Sequence, residues 1–415
     1  VAQDLHAHGQ KESEMDRTYS YVVVGAGLTG AAAARAIREE DPKGTVLLVG
    51  EEPHLPYNRP PLSKDLWLGK KTPDQIFVES SDFYATKRID RLVSTRIVGH
   101  EAGTKTLVDQ SGGRYRYERL LLATGCTPRK LDITGADLDG VYYYRTFDDY
   151  SAVRARATKG SSAVVIGGGF IGSEMAASLT ANGVSVTMIF PDSRLVAHVF
   201  PEGLGGALTS LYMERGVRVL HGDAPTAVER QGESLFVTTR GGQRLKTDLV
   251  IVGIGVEPNI ELARAAELEL DRGIVVNAEL ETSRPGIYAA GDNAVFPYAA
   301  LGRSMRIEHW DNALNQGQQA GRNMAGQKEA YTYMPYFFSD LFEFGYEAVG
   351  EVDARLETFA DWKKEYDTGV VYYLRDGRVR GAMMCNVWGK LDEARALIRE
   401  AKSVTPSSLK GAIAP

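Results

Sequence analysis

The sequence predicts an α/β chain of three units: two doubly wound, Rossmann-like domains, the second inserted in the first, and a C-terminal α+β domain. Three observations carry this expectation. An apolar strand, a G-x-G-x-x-G turn and an alanine-rich helix follow one another at residues 21–40. The same order of strand, glycine turn and helix recurs at residues 163–174. A late apolar segment ending in Gly291-Asp292 then reads as a strand returning to the first unit.

The first unit begins at Tyr21-Val22-Val23-Val24-Gly25-Ala26-Gly27-Leu28-Thr29-Gly30, with a helix predicted from Ala31 to Glu40. Gly25 permits the tight turn, Gly27 lets the backbone approach a pyrophosphate, and Gly30 lets the helix pack close to the strand. Phosphates then meet the free N–H groups of the helix N-terminus. A second strand, Thr45 to Val49, leads to Glu51, whose carboxylate can accept the hydroxyls of an adenosine ribose. A glycine turn that only packs a helix on a sheet is the plainer alternative, but it leaves the acidic residue in register unexplained.

Composition bounds the rest. At 415 residues the chain exceeds one ordinary core, and 43% hydrophobic with 25% charged residues is what a globular protein carries. No apolar run reaches the roughly 18 residues of a membrane span. A net charge of -6 argues against general affinity for nucleic acid. The two cysteines, Cys126 and Cys385, are too few and too far apart for a disulfide scaffold, a cysteine-rich metal site or a C-x-x-C pair. Residues 1–17 read as a disordered tail with no targeting signal, and His6 and His8 within it as solvated side chains, so no metal site is expected.

After Glu51 comes a loop with four prolines, residues 52–67, ending in a short helix opened at Pro61. Its stiffness suits Arg59 and Lys64 to face a pyrophosphate and a flavin edge at little ordering cost. A strand at Arg119 to Leu122 ends in Ala123-Thr124-Gly125, a turn narrow enough for backbone to pass beside a cofactor. The second cradle holds Gly167, Gly169, Phe170, Ile171, Gly172 and Glu174, and its second strand, Ser185 to Phe190, ends near Asp192. Asp192 would accept a ribose 2′-hydroxyl and repel a 2′-phosphate, which favours NAD over NADP; Arg194, two residues on, works against that. Asp292 is placed to accept ribityl hydroxyls, to cap a following helix, or both.

These readings give one dinucleotide-binding domain at residues 18–144 and 276–326, a second at 145–275, and a C-terminal domain at 327–415; the resemblance described next implies FAD for the first and NAD for the second. Strand-like runs in the last are Thr368 to Leu374 and Val379 to Met384, followed by an amphipathic helix from Leu391 to Ala401.

The chain resembles an apoptosis-inducing-factor-like member of the FAD/NAD ferredoxin reductase, or pyridine nucleotide-disulfide oxidoreductase, superfamily. The matching pieces are LPYNRPPLSKDLW, GGGFIGSE, MIFPD, GIGVEPNIELA, NAELETSRPGIYAAGD, RIEHWDNA, SDLFEFGYEAVGEVD and GVVYYLRDGRVRGAMMCNVWGK. The resemblance implies FAD contacts at Gly25, Gly27, Gly30, Glu51, Arg59, Lys64, Arg129 and Asp292. It implies nicotinamide-nucleotide contacts at Phe170, Glu174, Asp192, Gly255, Glu308 and His309. Trp310 is a residue type of many ferredoxin reductases at that place, while Phe338 stands where a tryptophan is frequent. The acidic, serine-rich insertion of animal members is absent, and residues 355–367 read as a short connection.

The implied mechanism is hydride transfer from NADH to FAD. Phe170 packs on the stacked rings, Glu174 holds the carboxamide, and Lys64, paired with Glu174, stabilises negative charge on the reduced flavin. His309, beside Glu308, would rearrange with it on reduction. Electrons then leave to an external acceptor: ferredoxin, quinone or oxygen. The leading expectation is an NADH oxidoreductase with a redox-controlled homodimer. The alternatives are a ferredoxin or rubredoxin reductase of an oxygenase system, and a binding protein with structural FAD. Its expected location is the cytoplasm in a prokaryote and the mitochondrion in a eukaryote.

Overall fold

Valine and leucine runs decide the central strand. In the computed structural model, which describes residues 17–414, Arg17–Val24 pairs in parallel with Val46–Val49 on one side and Arg114–Leu122 on the other. Tyr21 to Val24 are buried. Both faces of a parallel sheet are covered by other elements, so such a strand reads as a continuous apolar run. The expected tail lies outside the described residues except for Arg17, which instead opens this strand opposite Tyr115. The sheet continues outward to Ile89–Leu92. Beyond Arg114–Leu122, the C-terminal half of that strand pairs with Ile287–Ala289, and its N-terminal half begins an antiparallel extension through Thr106–Asp109 and Ile97–Glu101.

The first cradle helix spans Leu28–Glu40 and starts a turn before the predicted Ala31, with Gly27 as its N-cap. Its alanines let it lie against the helix Trp310–Met324. The approach is close. A Cβ on Gly317 would fall 2.4 Å from the Thr29 carbonyl oxygen, and one on Gly321 would fall 2.5 Å from that of Ala33.

The second domain is a five-stranded parallel sheet in the order Arg218–His221, Ser185–Phe190, Ser162–Ile166, Leu249–Val252, Val141–Tyr143. An antiparallel meander, Pro225–Gln231, Ser234–Thr239 and Arg244–Thr247, is inserted before Leu249–Val252. The chain crosses between the domains at a two-stranded ribbon, Cys126–Pro128 with Val256–Pro258. These crossings differ from the expected boundaries at 145 and 275. Val141–Tyr143 already belongs to the second sheet. Helix Glu261–Ala265 belongs with the first domain, where the Leu262 carbonyl accepts from His100 Nδ1 at 3.1 Å.

The C-terminal domain is a five-stranded antiparallel sheet: Tyr336–Leu341, Phe344–Gly350, Arg378–Cys385, Thr368–Arg375, Glu357–Lys364. The last strand corrects the reading of residues 355–367 as a connection. Its residues 359–362 are all half-buried, so the in–out alternation that reveals a strand is missing. Elsewhere both faces are covered. Val370, Tyr372 and Leu374 join the core of the first domain, while Val371 and Tyr373 join Phe200 and Tyr212 of the second. Helix Leu391–Glu400 closes the first-domain side through Ala394 and Ile398. No helix among the described residues is long and apolar enough to cross a membrane.

In each cradle the third glycine is sterically locked. A Cβ on Gly30 would sit 1.9 Å from the Gly25 carbonyl oxygen, and one on Gly172 would sit 2.0 Å from that of Gly167, whereas Gly27 and Gly169 have nothing within 4 Å. Gly172→Ala should therefore lose on the order of 1–3 kcal/mol of stability or fail to fold. Gly169→Ala should stay within about 1 kcal/mol of the parent. Thermal unfolding of the two variants checks the contrast, and equal losses would contradict it.

Candidate active site

The two cradles repeat one geometry. Gly25 and Gly167 have φ of +111° and +116°, and a Cβ on either would strike the carbonyl oxygen of Ala123 or of Gly253 at 2.0 and 2.2 Å. Each turn is thus pressed against a neighbouring loop: Ala123-Thr124-Gly125 for the first, residues 253–255 for the second. The open space at Gly27 and Gly169 lies at the two helix N-termini, where backbone donors receive phosphates. A dinucleotide fits both. Glu51, just past the strand Val46–Val49, is largely exposed and faces Arg96 at 3.7 Å. Asp192 is half-buried after Ser185–Phe190, and its carbonyl accepts from the Gly222 N–H at 3.1 Å. Arg194 packs against Gly205 and points its guanidinium at the Ala197 carbonyl.

The proline loop is cross-linked to itself. Arg59 donates to Glu52 at 2.6 Å, to the Tyr57 hydroxyl at 3.1 Å and to the Arg145 carbonyl at 2.8 Å. Tyr57 donates to Glu52 at 2.5 Å and accepts from the Phe147 N–H at 2.9 Å. Arg59, expected to face a pyrophosphate, thereby commits three donors to the chain itself. The short helix is a 3₁₀ turn, Pro60–Ser63, opening at Pro60 rather than Pro61.

This turn is gripped by the second cradle helix, Phe170–Ala181. Ser178 Oγ donates to the Ser63 carbonyl at 2.6 Å, Asn182, the helix's C-cap, donates to the Trp67 carbonyl at 3.0 Å, and the Tyr144 hydroxyl donates to the Leu62 carbonyl at 2.5 Å. Lys64 and Glu174, 8% and 6% exposed, form an ion pair at 2.8 Å. Glu174 also accepts from Ser63 Oγ and from Ser339 Oγ, each at 2.5 Å. Of about four lone-pair sites on a carboxylate, three are thus filled by the protein itself. This differs from the expectation of a carboxylate open to a carboxamide. The Phe338 ring covers the Lys64 ammonium at 4.9 Å.

Across this pair lies an aromatic wall. The Phe170 ring meets Phe337 edge to face at 5.7 Å, and His309 stacks on Phe337 at 4.3 Å with the rings 15° apart. Burial pushes the His309 pKa down to about 4, against the opposing effect of Asp292. Glu308 pairs with Arg306 at 2.6 Å, and not with His309 as expected. The backbone at His309 is extended, with φ -114° and ψ 146°, and extended backbone sends successive side chains to opposite sides. Trp310 donates to Asn58 Oδ1 of the proline loop at 2.7 Å.

Asp292 pairs with Arg145 at 3.0 Å, and its carbonyl accepts from Arg306 at 2.9 Å. The strand Ala294–Tyr298 follows it, so it caps no helix. Thr124 bridges to the Asn259 carbonyl at 2.7 Å and accepts from Asn293 at 2.9 Å. Arg129 lies farther out on the ribbon, with its N–H on the Gly255 carbonyl at 3.0 Å and its side chain 3.6 Å from Glu257. Ile171 is 38% exposed at the cradle mouth. Cys126 and Cys385 are both buried and unpaired, and burial raises the Cys126 thiol pKa to about 12. Arg145, Arg306, Ser63 and Ser339 escaped the sequence reading. The two serines sit inside quoted motifs, yet a serine carries no chemistry of its own until a carboxylate is placed beside it.

Comparison with known proteins gives the family. Residues 19–317 match the family model described as pyridine nucleotide-disulphide oxidoreductase. Residues 320–365 and 360–400 match that of the C-terminal domain of apoptosis-inducing factor, mitochondrion-associated. The chain is 32% identical to apoptosis-inducing factor 1, mitochondrial, of Dictyostelium discoideum, over 95% of this chain and 81% of that protein. It is 35% identical to the ferredoxin–NAD(+) reductase component of the anthranilate 1,2-dioxygenase system of Burkholderia cepacia, over 94% and 96%. The crystal structure of the covalent putidaredoxin reductase–putidaredoxin complex superposes with a TM-score of 0.88 at 31% identity, covering 95% of each chain. With one family model spanning both cradles and the buried pair that joins them, the chain belongs to the pyridine nucleotide-disulphide oxidoreductase family.

Proposed function

We propose that this FAD-dependent oxidoreductase draws electrons from NADH and delivers them to a ferredoxin-type carrier protein. The observation that carries the reading is the Lys64–Glu174 pair, buried between two dinucleotide cradles in a chain without a cysteine pair. Bound FAD supplies the exchange of a hydride for single electrons. The first cradle, with Glu51 and Asp292, holds it; Gly167, Gly169 and Gly172 receive the NADH pyrophosphate. Asp192 accepts the adenosine ribose hydroxyls. Lys64 places its ammonium in a water-poor site, where it favours electron gain nearby. Phe170 and Phe337 exclude water, and His309, neutral above about pH 5, contributes a ring face rather than a charge.

The acceptor class is supported by the Burkholderia relative, which is named a ferredoxin–NAD(+) reductase and whose length this chain matches almost completely. A second reading is supported by the match of residues 320–400 to the apoptosis-inducing factor C-terminal domain: slow turnover with quinone or oxygen and a redox-controlled dimer. Anaerobic addition of one equivalent of NADH separates the two. The purified protein should be yellow, release FAD on acid precipitation and bleach with NADH, then recolour rapidly with an oxidised [2Fe–2S] ferredoxin at unchanged mass by light scattering. Slow recolouring with a doubled mass favours the second reading, and a protein that neither binds FAD nor bleaches defeats both.

Asp192→Ser should shift kcat/KM toward NADPH relative to NADH by roughly 1–3 kcal/mol in transition-state terms. A parent enzyme that already prefers NADPH overturns the role given to Asp192.

The depressed His309 pKa has a consequence for acid stability. Unfolded histidine titrates near 6.5, so as pH falls from about 6.5 to about 4 the unfolded state takes up the proton first and stability drops; above 6.5 this contribution is constant. His309→Phe, which keeps a ring on Phe337, should flatten that drop in urea midpoints measured from pH 7 to 4.5. An unchanged slope would contradict the assignment.

A further inference from the structure

We propose that Ser339, contributed by the C-terminal sheet, is a positioning residue that sets the charge balance of the Lys64–Glu174 pair and thereby the reduction potential of bound FAD. The inference rests on the functional reading above. The geometry behind it is specific to the two carboxylate oxygens. Oε1 of Glu174 accepts from Lys64 Nζ at 2.8 Å and from Ser339 Oγ at 2.5 Å; Oε2 accepts from Ser63 Oγ at 2.5 Å. All four residues are under 10% exposed. A neutral hydroxyl spreads the carboxylate charge without cancelling the ammonium, so each serine leaves Lys64 less fully neutralised.

Ser339 is held in place by its strand. It stands opposite Tyr346 in the ladder, and its same-face neighbours, Phe337 and Leu341, are packed against the core of the second domain. One residue back, Phe338 places its ring over the Lys64 ammonium. A single step along Tyr336–Leu341 therefore puts an aromatic face on the cation and a hydroxyl on the anion. The domain that carries neither cradle grips both halves of the pair.

Loss of the Ser339 hydroxyl leaves Oε1 to Lys64 alone. The ammonium is then more completely neutralised and does less to favour the electron-rich, reduced cofactor. The test uses the FAD-loaded protein, with reduction potentials measured by equilibration with a reference dye for the parent, Ser339→Ala, Glu174→Gln and the double variant. Ser339→Ala should lower the reduced-to-oxidised ratio at a fixed poise by about three- to tenfold, within what one hydrogen bond to a charged group can supply. The change should largely vanish in the Glu174→Gln background. Ser63→Ala, which removes the donor on Oε2, should move the ratio the same way, and it keeps the idea testable if Ser339→Ala does not fold. A yellow Ser339→Ala protein at the parent potential overturns the proposal, as does an equal shift in the Glu174→Gln background or an opposite shift from Ser63→Ala. A colourless parent would instead defeat the functional reading itself.

Discussion

One buried carboxylate holds the three domains to each other. Glu174 belongs to the second domain, Ser63 and Lys64 to the first, and Ser339 to the third, and all meet within hydrogen-bond distance. A lone carboxylate at this depth would be strongly unfavourable, and a buried ion pair is tolerable only when its remaining lone pairs are satisfied. Here three of about four are, by donors that exist together only when the domains are docked. The pair is therefore a condition of the assembled shape as much as an element of the site, since separating any domain strips Glu174 of a partner.

The surrounding packing serves that meeting point. The 3₁₀ turn carrying Lys64 is tied through three carbonyls, those of Leu62, Ser63 and Trp67. The C-terminal sheet buries both faces, one in each core, and so works as a wedge that fixes the first two domains against each other. Trp310 bonds Asn58 of the same proline loop from the first-domain helix. Lys64, on a turn held this firmly, is paired by Glu174 and covered by the Phe338 ring, which leave its long side chain little freedom.

How much of this was legible in the sequence depended on whether a residue's role was local. The cradles could be read because turn, strand and helix are neighbours in the chain, and the glycines at 25, 30, 167 and 172 answer to contacts a few residues away or in the adjoining loop. The Lys64–Glu174 pair was legible only through resemblance, since 110 residues separate its members. Arg145 lies in no motif and Arg306 only opens one, and Asp292 finds both only after folding. The edge strand Glu357–Lys364 was read as a connection because its half-buried residues lack alternation. The expected contact between Glu308 and His309 failed for a simple reason: adjacency in sequence means opposite directions in extended backbone.

The crossing of the first cradle helix with Trp310–Met324 limits how this chain can diverge. With carbonyl oxygens 2.4 and 2.5 Å from where a Cβ would stand on Gly317 and Gly321, neither position has an accessible neighbour in sequence space; even alanine requires the helices to part. The atoms in the way are backbone carbonyls of Thr29 and Ala33 on the facing helix, which are there whatever side chains those positions carry. The Thr29 side chain meets a separate limit, because a Cβ on Gly291 would lie 2.5 Å from its hydroxyl oxygen. Because the obstacle at 317 and 321 is backbone that no exchange of side chain removes, lineages descended from this sequence should keep both glycines for as long as the two helices stay in contact.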